Sequence, residues 1–119
     1  MSIDAPNRRL EIGSTWIARD WRRTAVNTEA KYLMLRHAFE TLSPPAVRVQ
    51  ITTNITNLHS QRAIEKLGAV REGVLRKARI MSPTVDRPEV LARDWVYYSV
   101  VDDEWAGVKK RLEERLCRV

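Results

Sequence analysis

Two short stretches of this chain gather residue types that could do chemistry. The first is the charged turn Arg19-Asp20-Trp21-Arg22-Arg23-Thr24, which stands directly before a helix-forming run. A strand that runs into a polar turn and then a helix is the general layout of a phosphate site. The helix N-terminus presents unpaired backbone N–H groups and the positive end of its dipole. Arg22 and Arg23 would reinforce binding of a pyrophosphate, since guanidinium groups suit bidentate contact with phosphate. The plainer reading is a solvated loop with surface arginines, because the turn lacks the glycine that usually lets a backbone approach phosphate closely. The second stretch is Asn57-Leu58-His59-Ser60. His59 could act as a base, although a lone histidine in a polar turn is usually just exposed. Beside it, Asn57 reads as the residue closing an Asx-turn and Ser60 as a helix N-cap.

The elements that must position these groups can be read from periodicity. Residues 10–18 read as a strand, with Leu10, Ile12, Ser14 and Trp16 on one face. A helix follows from about Ala25 to Leu42. Its apolar stripe is expected to be Val26, Ala30, Leu33, Met34, His37, Ala38 and Leu42, which makes His37 a core residue. Ser43-Pro44-Pro45 ends it. Residues 46–53 alternate apolar and polar and form the clearest strand. A short helix runs from Ser60 to Leu67, stopped by Gly68. A strand from about Ala69 to Met81, irregular near Gly73, pairs across the loop Ser82–Glu89 with a strand from Val90 to Val101. Asp102-Asp103-Glu104 opens a last helix with Trp105, Val108, Leu112 and Leu116 as its buried stripe. The order β-α-β-α-β-β-α makes one α/β unit with a mixed sheet. Its first two strands, joined through a helix, should lie parallel.

Composition sets the frame. The chain has 119 residues, 44% hydrophobic and 30% charged, which suits a single small globular domain. No apolar run is long enough for a membrane span, and the first residues lack a secretory pattern, so a cytoplasmic protein is expected. The single cysteine, Cys117, reads as a bystander thiol. The four tryptophans read as packing residues. The net charge of +6 comes from 21 basic residues, of which 16 are arginine. They are spread along the chain, so charge fits a phosphate-rich partner without making a specific case for nucleic acid.

The segment from Trp21 to Lys31 resembles the acetyl-CoA loop and helix of the GNAT acetyltransferases, in the branch that acetylates the N-termini of ribosomal proteins. The superfamily pattern of Gln or Arg, two residues, Gly, one residue, then Gly or Ala falls on Asp20, Arg23 and Ala25, of which Ala25 matches. The segment from Asn57 to Ala69, with Glu72-Gly73 and Leu75-Arg76 after it, is similar to the family's second helix and the strand that follows. Asp94 to Tyr98 and Glu104-Trp105 fit the closing strand and helix. The resemblance implies acetyl-CoA as cosubstrate, no metal, and direct attack of an amine on the thioester. It places a backbone N–H near Ile17 against the thioester carbonyl. The amides from about Arg22 through Thr24, Ala25 and Val26 to Asn27 would hold the pyrophosphate. Asn57 would lie beside the pantetheine arm, and Ser60 where some members protonate the departing thiolate.

The same resemblance implies that the family's first strand, two helices and two further strands are missing. Met1 to Arg9 then corresponds to the end of a third strand and the turn into the fourth, and Met1 to an internal methionine of a longer ancestral chain. A strand at 10–18 that lacks its neighbour would expose an edge, so self-association as a homodimer through that edge is expected. The function expected is N-acetyl transfer to a primary amine, either a protein N-terminus or a small amine. A catalytically silent CoA-binding remnant and a basic RNA- or ribosome-associated module are the alternatives.

Overall fold

The computed structural model describes residues 2–4, 6–13, 25–86 and 88–117. Its elements, in chain order, are β1 (Ser2–Asp4), β2 (Arg9–Gly13), α1 (Ala25–Arg36), β3 (Arg48–Asn54), α2 (Leu58–Leu67), β4 (Val70–Met81), β5 (Leu91–Val101) and α3 (Asp102–Cys117). The strands form one mixed sheet in the order β1-β2-β3-β5-β4. As the intervening helix requires, β2 and β3 are parallel, from Arg9 opposite Arg48 to Gly13 opposite Thr52. All other pairs are antiparallel.

Strand alternation sorts the side chains into two faces. Leu10 and Ile12 lie opposite Val49 and Ile51, which lie opposite Val100 and Tyr98. These residues are buried and share one core with Leu35 and Ala38 of the α1 segment, Ile64 and Leu67 of α2, and Trp105, Val108 and Leu112 of α3. The opposite face carries Glu11, Arg48, Gln50, Thr52, Trp95 and Ser99, and it is held by side-chain hydrogen bonds instead. Arg48 donates to Glu72 at 2.9 Å and to Gln50 at 2.8 Å.

The helix ends follow local chemistry. Beyond α1 the helix widens over His37–Thr41, where the Leu42 N–H reaches back five residues to the His37 carbonyl at 3.0 Å. Gly68 stops α2 with φ at +106°, a conformation that L side chains rarely adopt. Acidic Asp102, Asp103 and Glu104 occupy the first turn of α3, and the Glu104 carboxylate accepts the Val101 N–H at 3.0 Å.

Three expectations are corrected. In the first helix Ala38 is buried as expected and Met34 and Leu42 pack against the core, but Lys31 and Leu35 are buried while His37 is exposed and Leu33 is half exposed. The stripe is set by the side that packs on the sheet and on α3, which the apolar residues alone do not reveal. The strand expected from residue 46 begins at Arg48, after Ala46 and Val47 donate their N–H groups to Ala38 and Arg8. Finally, the start of the 10–18 strand is not a free edge. β1 covers it, with Ser2 opposite Glu11, Ile3 opposite Leu10 and Asp4 opposite Arg9.

Candidate functional site

β2 and β3 run parallel, and each is followed in the chain by a helix. α1 follows the carboxyl end of β2, and α2 follows the carboxyl end of β3. In open α/β sheets ligands bind at that end of the strands, where helix N–H groups point outward. Among the residues expected there, Ile17, Arg22, Arg23 and Thr24 lie outside the described residues. Ala25, Val26 and Asn27 form the first turn of α1, as the sequence predicted.

The β3–α2 corner is built almost entirely from its own polar groups. The Asn54 side-chain oxygen accepts the N–H and the hydroxyl of Thr56, both at 3.1 Å. The Asn54 carbonyl accepts the Asn57 N–H at 2.9 Å. Gln61, buried on α2, donates its amide to the Ile55 carbonyl at 2.7 Å. From the other side, Ile55 donates its N–H to the carbonyl of Asp94 on β5 at 3.1 Å, which locks the corner to the sheet. A connector so heavily bonded holds its backbone in one conformation.

This corner corrects the assignment of the cap. Asn57, and not Ser60, is the N-cap of α2. Its side-chain oxygen accepts the Ser60 N–H at 3.0 Å, and its carbonyl accepts the Gln61 N–H at 3.1 Å. Ser60 is the third residue of the helix and is buried. Its hydroxyl is therefore not needed for capping. His59 is half-buried on the same turn.

Across the polar face runs a second constellation that periodicity did not single out. Trp95 donates its indole N–H to the Thr52 hydroxyl at 3.2 Å, and Thr52 donates in turn to the Glu11 carboxylate at 3.4 Å. Arg79 approaches the same carboxylate at 3.5 Å while its guanidinium lies 4.8 Å from the Trp95 ring centroid. Arg79 reaches this place because β4 bulges between Leu75 and Arg79. The bulge is held by Asp94, whose carboxylate accepts the N–H of Lys77 at 2.8 Å, with Lys77 at φ +49°. Trp95 was read only as packing. Its position on the polar face, two residues from Tyr97 on the same side of β5, was the available signal. Trp105 does pack, stacked on Phe39 at 5.5 Å, and donates to Glu40 at 2.7 Å.

One charged group lies inside. Lys31, on the core-facing stripe of α1, is 8% exposed, and burial lowers its pKa. It makes no hydrogen bond or ion pair with any described residue. Among the described residues no group of three or more His, Cys, Asp or Glu side chains could hold a metal ion, and no helix is long and apolar enough to cross a membrane.

Known proteins share this fold. The sequence profile of the family described as "Acetyltransferase (GNAT) domain" matches residues 1–70. YdaF of Bacillus subtilis (strain 168), provisionally named a ribosomal N-acetyltransferase, is 32% identical over 108 residues, covering 91% of this chain and 54% of its own. The crystal structure of a provisionally assigned acetyltransferase from T. thermophilus superposes with a TM-score of 0.82 at 48% identity, over 98% of this chain and 57% of the other. The self-immunity acetyltransferase MccE, solved in complex with acetyl-CoA and AMP, superposes with a TM-score of 0.67 at 25% identity, over 83% of this chain and 49% of its own. The chain thus spans about half the length of these relatives.

Proposed function

This chain belongs to the GNAT acetyltransferase family, and from that premise we propose that it binds acetyl-CoA and transfers the acetyl group to a primary amine. The observation that carries the reading is the parallel pairing of β2 and β3, each followed in the chain by a helix whose N-terminus offers unpaired N–H groups. Acetyl-CoA supplies an activated thioester and a diphosphate. The N–H groups of Ala25, Val26 and Asn27, with Arg22, Arg23 and Thr24 before them, are the donors suited to the diphosphate. A backbone N–H near Ile17 would polarise the thioester carbonyl. Asn57 holds the corner along which the pantetheine arm would run, and the hydroxyl of Ser60 would return a proton to the departing thiolate.

The polar face adds what the amine needs. Glu11 stands two residues before the end of β2 at Gly13, oriented by the Thr52 hydroxyl and by the Arg79 guanidinium beside it. A carboxylate held in this way would accept the proton that the attacking amine gives up. We read the acceptor as a protein N-terminus or a small amine. We read residues 1–119 as one GNAT-like domain acting in the cytoplasm. A second copy would pair along the outer edge of β1 or along β2 beyond Glu11.

The test is to incubate the chain with acetyl-CoA and a short peptide bearing a free N-terminus, then follow thiol release and peptide mass together. Acetyl-CoA-dependent acetylation of the peptide supports the reading. Thermal stabilisation by acetyl-CoA with no transfer would leave a CoA-binding chain and remove the enzymatic part. RNA binding that weakens with salt, in a chain indifferent to acetyl-CoA, would favour the basic-module alternative instead.

A further inference from the structure

Lys31 poses a specific physical problem. An ammonium group that loses most of its water without gaining a carboxylate destabilises the fold that contains it. Lys31 is 8% exposed and has no hydrogen bond or ion pair with any described residue. An apolar residue would satisfy the same position at no electrostatic cost, so a buried lysine there calls for a counter-charge. Its place in the fold indicates where that charge would come from. Lys31 sits one turn before Leu35 on the stripe of α1 that faces the core, so it is nearer the start of the helix. It is the seventh residue of α1, about 9 Å along the axis from the first at roughly 1.5 Å per residue. Long side chains in helices lean back toward the N-terminus, so a lysine at this position is suited to extend toward the first turn. No fully buried side-chain polar atom among the described residues is left without a partner, so the unpartnered tip of Lys31 keeps a small opening to the outside. The α3 groups that pack against this helix are engaged with its neighbours: Glu113 accepts from Tyr32 at 2.8 Å, and Arg115 donates to Thr28 at 3.3 Å.

We propose that Lys31 is a buried anion-binding residue whose ammonium neutralises a diphosphate seated at the N-terminus of α1, from beneath the helix's first turn. The inference rests on the acetyl-CoA reading above for the source of the diphosphate, but the anion chemistry can be tested separately. In the empty protein Lys31 costs stability, and the bound anion offsets that cost, so part of the binding energy is relief of an unpaired charge.

The experiment compares the wild-type chain with Lys31→Met and Lys31→Arg by thermal melts and titration calorimetry, with inorganic pyrophosphate and acetyl-CoA as probes. Without ligand, Lys31→Met is expected to melt at or above the wild-type temperature. Its affinity for both probes is expected to fall at least tenfold, while Lys31→Arg keeps most of it. If Lys31→Met binds pyrophosphate as tightly as wild type, if wild type does not bind pyrophosphate at all, or if Lys31→Met melts well below wild type without ligand, the proposal is overturned. If wild type binds pyrophosphate in a Lys31-dependent way but ignores acetyl-CoA, the anion site stands and the acetyltransferase reading falls.

Discussion

The side-chain oxygen of Asn57 accepts the backbone N–H of Ser60 at 3.0 Å. This single bond fixes where α2 begins and places the serine hydroxyl one turn inside a rigid corner, free of any duty to cap. The connection from Ile55 to Asp94 extends that rigidity to the strand carrying Trp95. The residues proposed for the two ends of the reaction are therefore tied to one framework: Ser60 on the thioester side and Glu11 on the amine side.

Asn57→Ala should lower stability by about 1 kcal/mol through loss of the cap. Ser60→Ala should cost less, because α2 keeps its cap, yet slow acetyl transfer by about 100-fold. Urea denaturation and initial rates on the same two variants check the division of roles. The opposite ranking in stability would return the cap to Ser60.

Glu11→Gln should lower the transfer rate by about 100-fold while leaving the affinity for acetyl-CoA within about twofold. The amide keeps the shape and the bond from Thr52 but cannot take a proton. Equal loss in binding and rate would mean that Glu11 shapes the site and does not act on the amine.

Gly68→Ala should destabilise the chain by about 1 kcal/mol or more. At φ +106° an L side chain is strained, and the added carbon would stand 2.7 Å from the Arg111 guanidinium. Because Arg111 is flexible and exposed, the double variant Gly68→Ala/Arg111→Ala should recover only the steric part. Full recovery would show that backbone conformation contributes little. Thermal melts decide.

Glu72 titrates below the usual carboxylate range, chiefly because Arg48 hydrogen-bonds it, with Ser99 assisting. Its folded pKa is depressed, so its contribution is present above the unfolded value of about 4.3 and is lost as pH falls through the folded one. Glu40 behaves alike, held down by Lys109 and then Trp105. Glu72→Gln should therefore flatten the stability curve below about pH 4.3 and leave its shape near neutrality unchanged. Because the pair is partly exposed, the coupling between Arg48 and Glu72 should be about 0.5 kcal/mol in a double-mutant cycle.

The order of elements was legible because its signals are local. Ser43-Pro44-Pro45, Gly68 and the acidic run at Asp102 mark helix ends by themselves, alternation in 46–53 marks a strand, and the loop Ser82–Glu89 marks the hairpin that returns as 90–101. The α3 stripe of Trp105, Val108 and Leu112 was legible for the same reason. What stayed hidden depends on tertiary neighbours. Lys31 is buried where a charge pattern would place it outside, because α1 is oriented by its contacts with the sheet and α3. The Glu11–Thr52–Trp95–Arg79 constellation joins residues from four strands and needs the bulge held by Asp94 to bring Arg79 into line. No spacing in the sequence records such a register shift. Asn57 and Ser60 were both singled out, but which of them caps α2 depends on where the helix starts, which the bond from the Ser60 N–H to Asn57 shows.

The most direct measurement is isothermal titration of acetyl-CoA into the folded 119-residue chain, with coenzyme A and dephosphorylated pantetheine as companion ligands. The account predicts saturable one-site binding of acetyl-CoA and coenzyme A, and much weaker binding of pantetheine, since the diphosphate at α1 supplies much of the recognition. A cooperatively folded sample that gives no binding heat with acetyl-CoA at any tested temperature, and no shift in melting, would contradict it.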